Sequence, residues 1–188
     1  HIFDSERTDS IPVGFVYQFK IINFKEKKVL LSNYGGIGFK TKEDNTIQQF
    51  HIGYRVKDFK TIENNKLILA SHSGLYISDR KNIQIFDSTK SIFSQRFDAV
   101  DVRNGAIAAG TRGSGLVYIE NSKSFVINSK DGLAGDFVNT VCFENDSALW
   151  VGTNRGISIL TKSHNNISIQ NIGREKGLMD EYITKFAF

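Results

Sequence analysis

One pattern is written four times in this chain, and its spacing narrows the folds open to it. The clearest copy reads Ala148-Leu149-Trp150-Val151-Gly152-Thr153-Asn154-Arg155-Gly156-Ile157-Ser158-Ile159. Other copies run from Val29 to Phe39, from Leu67 to Ile77 and from Ala106 to Tyr118. Each has an alternating apolar run, a small residue, a short polar turn closing on glycine, and a second alternating run. The anchoring glycines Gly36, Gly74, Gly115 and Gly156 stand 38, 41 and 41 residues apart. A period near forty residues that carries only strand signals predicts an all-β chain of β-propeller blades.

Units of that size cannot bury their own apolar face and need neighbours to stack on. A hydrophobic content of 40% with 15 phenylalanines supplies the core, and 16 glycines with the single Pro12 suit short strands and tight turns. Cys142 is the one cysteine, so no intrachain disulfide forms; it reads as a small buried strand residue. No run of 18 apolar residues predicts a membrane span, and residues 1–10 do not read as a secretory leader. The net charge of +4 is scattered among carboxylates. Its densest cluster, Lys25-Glu26-Lys27-Lys28, reads as a solvated hairpin turn, with anion binding the alternative. No basic stripe interleaves with aromatics, so nucleic acid is not an expected partner.

Strand alternation and turn residues set out the blades. In the clearest unit, first to fourth strands are expected at 138–143, 149–153, 157–161 and 167–172, a four-strand antiparallel meander. Counted in that frame, four complete blades fall roughly at 15–50, 56–92, 97–129 and 138–172, and 183–188 begins a further first strand. The connection Asp131-Gly132-Leu133-Ala134-Gly135-Asp136-Phe137 lies on Lys176-Gly177-Leu178-Met179-Asp180-Glu181-Tyr182 without a gap. Its third residue is expected to tuck between blades, and its seventh to open a first strand. His1-Ile2-Phe3 falls where a fourth strand would end. The frame thus predicts one partial propeller over 1–188, a piece of a longer one. A ring of two chains, or one closed through both termini, are the alternatives; association through uncovered blade faces is expected.

Leu149-Trp150-Val151-Gly152-Thr153 with Gly156-Ile157, preceded by Asp131-Gly132-Leu133 and by Asn139 and Val141, resembles the two-component regulator propeller repeat. The copies at 29–39 and 67–77 lack the tryptophan and the Gly-Thr pair; the copy at 106–118 keeps Gly110-Thr111 but inserts a residue before Gly115. That resemblance implies the periplasmic, ligand-sensing, non-enzymatic part of a hybrid histidine kinase. Full-length members carry a transmembrane helix and a kinase or DNA-binding output, so any membrane attachment would come through such a helix.

No catalytic, metal-binding or cofactor-binding set is expected. Gly36-Ile37-Gly38 lacks the third glycine of a dinucleotide fingerprint, Gly113-Ser114-Gly115 lacks nucleophile-elbow spacing, and the four histidines show no ligand spacing. Trp150 reads as packing against the next sheet, with sugar stacking the alternative. Gly152 and Gly156 read as turn glycines, and Thr111 and Thr153 as hydroxyls bonded to the turn backbone. A meander sends its second-to-third turns and its blade-to-blade connections to one face. The residues that vary inside the fixed frame lie there: Tyr34, His72, Arg112, Asn154 and Arg155 in turns, with Arg7, Arg96, Arg174 and Lys176 on connections. These predict a site for an oligosaccharide or another polar ligand, anionic or hydroxyl-rich. The rival readings are a protein-interaction scaffold and, less favoured, a propeller lyase or hydrolase.

Overall fold

The computed structural model describes residues 23–24, 27–32, 36–40, 47–51, 55–79, 82–163 and 166–186. Two compact units divide the chain, His1–Val56 and Lys57–Phe188. In the first, β1 (Asn23–Phe24), β2 (Lys27–Ser32), β3 (Gly36–Lys40) and β4 (Ile47–His51) form an antiparallel sheet in the order β1-β2-β3-β4. Leu30 stands opposite Gly38, and Ile37 opposite Phe50. The first strand expected at 15–22, together with Arg7 and Tyr34, lies outside the described residues.

Three sheets follow, each a meander of four neighbouring strands. One holds β5 (Val56–Ile62), β6 (Lys66–Ser71), β7 (Gly74–Ser78) and β8 (Ile83–Ile85). The next holds β9 (Phe97–Arg103), β10 (Ala106–Thr111), β11 (Leu116–Glu120) and β12 (Lys123–Ile127), and the last β13 (Val138–Phe143), β14 (Ala148–Thr153), β15 (Gly156–Ser163) and β16 (Asn166–Ile172). Four-stranded meanders stacked face to face are propeller blades. The chain has the all-β propeller fold.

Period-two alternation sends opposite sides of each sheet into different cores. Strand β10 is buried on both sides. Ala106 and Ala108 join Leu116, Tyr118, Val141, Leu149, Val151 and Leu160 in one cluster, toward the last sheet. Ile107 and Ala109 join Ile68, Ala70, Phe93, Phe97 and Val117 in the other. Leu133, on the connection between β12 and β13, is 3% exposed and belongs to the first cluster. It fills the inter-blade seam, as its place in the connection implies.

Two sequence expectations change in the structure. Gly152 and Gly110 are not in the left-handed region. A Cβ on Gly110 would lie 2.5 Å from Val138 Cγ1, and one on Gly152 would lie 2.6 Å from Ile183 Cγ2 as well as against its own cross-strand partner Thr140. Glycine at these positions lets the next blade's inner strand approach. Gly115, at φ +85°, does need glycine's conformational freedom, and a Cβ there would also collide with Ile127 O. Cys142 is half-buried rather than buried, since it sits on the side of β13 away from the inter-blade core. Residues 182–186 carry no strand assignment. Ile183 nonetheless donates its N–H to Thr153 O at 2.9 Å, and Trp150 meets Phe186 edge-on with centroids 6.1 Å apart.

Candidate functional site

The site's foundation is a hydroxyl clasp repeated in three hairpins. Ser71 Oγ donates to Gly74 O at 3.0 Å, Thr111 Oγ1 to Gly115 O at 2.7 Å and Thr153 Oγ1 to Gly156 O at 2.9 Å. The same oxygens accept the backbone N–H of Ser73, Ser114 and Arg155 at 3.1, 2.9 and 3.0 Å. All three hydroxyl residues are 0% exposed. In the Thr111 and Thr153 clasps these partners are all backbone, so the clasp fixes the loop without using the tip side chains, whereas Ser71 Oγ also meets Ser73 Oγ at 3.2 Å.

The tips then lock onto the connections between blades. Arg112 N donates to Arg96 O at 3.1 Å and Asn154 N to Phe137 O at 3.0 Å. Gly115 N reaches Asp136 O at 2.9 Å, and Gly156 N reaches Glu181 O at 2.7 Å. Turns and connections therefore share one face within this unit. The connection from 128 to 137 is itself stiffened: Asn128 and Asp131 form a reciprocal capping box, and Ser129 N donates to Asp136 Oδ1 at 2.7 Å.

On this face Arg112 is exposed, and Asp98 holds it together with Arg96. Arg96 Nε lies 2.8 Å from Asp98 Oδ1, and Arg112 Nη1 lies 3.2 Å from Asp98 Oδ2. Ser114 Oγ donates to Gln95 Oε1 beside them. Two guanidiniums around one carboxylate leave a net positive charge with spare N–H donors, suited to an anionic or hydroxyl-rich group. Arg155 is exposed at the next tip. Asn154 is folded back, its Oδ1 buried without a hydrogen-bond partner among the described residues. Gly135 makes room for it, since a Cβ there would sit 2.6 Å from that oxygen. His72 occupies the β6–β7 tip, half-buried.

Arg174 and Lys176 lie on the connection after β16, where Arg174 N donates to Glu181 Oε1 at 3.3 Å. They sit in a 3-10 turn at the β16 end of their connection, where Lys176 Nζ donates to Asn171 O at 2.5 Å. The inner end of that connection instead presents Tyr182, 48% exposed, and the preceding one presents Phe137, 43% exposed. Sequence reasoning treated these aromatics as strand openers; only their exposure marks them as part of the surface. Trp150 is half-buried, with Nε1 donating to Glu144 Oε2 at 3.0 Å, so one edge of its ring is engaged. No group of three metal-ligating side chains gathers among the described residues.

No family model matches the chain, and no curated protein matches it. Solved structures do resemble it. The extracellular domain of a hybrid two-component system from B. thetaiotaomicron superposes with a TM-score of 0.66 at 18% identity, over 84% of this chain and 23% of that one. The Pan2 WD40 domain of Neurospora crassa gives 0.55 at 13% identity, over 81% of this chain and 48% of that one. The computationally designed Ika8 protein gives 0.56 at 9% identity, over 75% and 44%. The chain thus spans about a quarter of the length of the two-component protein's domain. At these identities the likeness establishes the propeller fold. Among the described residues no helix is long and apolar enough to cross a membrane.

Proposed function

We propose that this chain is part of the extracytoplasmic, periplasmic ligand-sensing propeller of a two-component sensor, and that it binds a carbohydrate or similar polar ligand. The single observation that carries the reading is the shared face. Rigid clasped turns and stiff connections present Arg112 and Arg155 on one face, with Arg96 and the largely buried Asp98 beside Arg112. A site built on a rigid scaffold with variable tips is how repeat proteins vary what they bind. The fold likeness to the extracellular domain of a hybrid two-component system supports the same reading. Binding, not catalysis, is the role assigned to the face. Further propeller blades or a second copy of the chain are the proposed structural partners.

Isothermal calorimetry of the full chain against neutral and acidic glycans tests the reading. Saturable binding that Arg112→Ala weakens supports it. Absence of binding across glycans, together with capture of a defined protein by the same face, would replace it with the scaffold reading that the WD40 likeness favours.

A further inference from the structure

Among the described residues the outer strand β12 pairs only with β11, so one of its edges is open. Thr111 N donates to Gly115 O, and these two residues continue a β10–β11 ladder in which Gly110 stands opposite Leu116. Hydrogen-bonded and non-hydrogen-bonded pairs alternate along an antiparallel ladder. Gly115, Val117 and Ile119 therefore bond to β10, and Leu116, Tyr118 and Glu120 turn their main-chain groups to β12. Their partners there are Ile127, Phe125 and Lys123. The N–H and C=O of Ser124 and Val126 are left pointing outward from the sheet.

That edge lacks the usual protection. Open edges act as templates for a further strand, and short length or charge blunts them. The outer strand β8 is only three residues long, and β16 intersperses its isoleucines with Asn166, Ser168, Gln170 and Asn171. By contrast β12 reads Lys123-Ser124-Phe125-Val126-Ile127, with a single charge, and Phe125 and Val126 are 52% and 42% exposed. The usable stretch is bounded at both ends. Asn121 and Ser122 lie in the left-handed region at φ 50° and 61°, and Asn128 N already donates to Asp131 Oδ2 at 3.0 Å.

We infer that β12 pairs antiparallel with β12 of a second copy of the chain, about a two-fold axis through Phe125. In this register Ser124 of each copy exchanges both main-chain hydrogen bonds with Val126 of the other, so the outward groups are satisfied. Centred on Val126 or on Ser124, the pairing would call instead on the occupied Asn128 N–H or on the turned Ser122. The two Phe125 rings fall in the close, non-hydrogen-bonded pair, where cross-strand aromatic contacts stabilise a sheet. Lys123 stands opposite Ile127, so the one charge on the strand does not face its own copy. A single strand per copy buries less than the standard interface of about 1,600 Å², and the dimer therefore forms at high concentration. The contact uses neither the second-to-third turns nor the connections, so its failure would leave the ligand-sensing reading untouched.

Sedimentation equilibrium of the full chain over a concentration series tests the contact. The wild type passes from monomer to dimer. Phe125→Lys and Phe125→Glu each weaken dimerisation by about tenfold or more, since like charges then face each other across the axis. An equimolar mixture of the two variants restores it, because a two-fold contact sets residue 125 opposite its own copy. In a Cys142→Ser background, Phe125→Cys cross-links on mild oxidation, as the Cα atoms of a close pair stand about 4.5 Å apart; Lys123→Cys does not. Melting temperatures read alongside show that the variants fold, and should a charged variant melt early the cysteine pair decides. Association that both charged variants leave unchanged would overturn the inference and place the contact on another surface. A wild-type chain that stays monomeric would overturn it too and leave the edge to a foreign strand. Cross-linking of Lys123→Cys as fast as Phe125→Cys would overturn the register.

Discussion

Val138 occupies the space that a side chain on Gly110 would need, with its Cγ1 2.5 Å from where that Cβ would stand. The same relationship recurs one blade on, where Gly152 faces Ile183. Inner strands thus approach the second strand of the preceding blade at bare backbone. Gly110→Ala forces that seam apart and is expected to cost about 1–3 kcal/mol, as overpacking does elsewhere. The midpoint of urea denaturation reads the loss. An unshifted midpoint would mean that the seam is loose.

The hydroxyl clasps should be worth nearly as much. Thr153→Val keeps the shape but leaves the Arg155 N–H without its buried acceptor, at a cost of about 1–3 kcal/mol. Thr153→Ser should recover most of it, because Ser71 performs the same task in its own hairpin. Equal destabilisation by both substitutions would place the effect in the methyl group instead.

Removing Arg112 should separate binding from folding. Its pair with Asp98 is largely solvent-exposed on the arginine side, and exposed pairs contribute about 0–1 kcal/mol. Arg112→Ala and Arg155→Ala are expected to leave the melting temperature nearly unchanged while weakening ligand binding. Sharp destabilisation by either would contradict the placement of these side chains at the surface.

Alkaline pH should act on the seam between the last two blades. Burial pushes the Tyr118 phenol above its usual value of 10, and the carboxylate of Glu120 adds to the shift. A hydrogen bond to Glu120 likewise raises Lys162 above 10.5. For both groups the folded chain holds the proton more tightly than the unfolded chain does. The stability they contribute is present below about pH 10 and is lost as the pH climbs past it. Tyr118→Phe should flatten that decline in melting temperature between pH 9 and 11, and an identical decline would clear Tyr118 of any part in it.

Much of this architecture was legible because alternation and turn chemistry are local. The sequence frame expects a first strand at 138–143, where β13 lies, and a third strand at 157–161, where β15 runs over Gly156–Ser163. The roles of Thr111 and Thr153 were legible for the same reason: a hydroxyl before a polar turn has few other partners. Packing across blades is not local. Nothing near Gly110 in sequence announces Val138, and a seventh-position aromatic reads alike whether its ring is buried or, as for Phe137 and Tyr182, left in water.

The clasps also bear on how such a chain can change over time. Because Thr111 and Thr153 bond only main-chain atoms, the exposed tip residues Arg112 and Arg155 can be replaced without undoing the clasp. Substitutions there can explore new ligands without first acquiring a compensating stabiliser elsewhere. A lineage built on this hairpin can vary the surface of that face through single, nearly neutral steps.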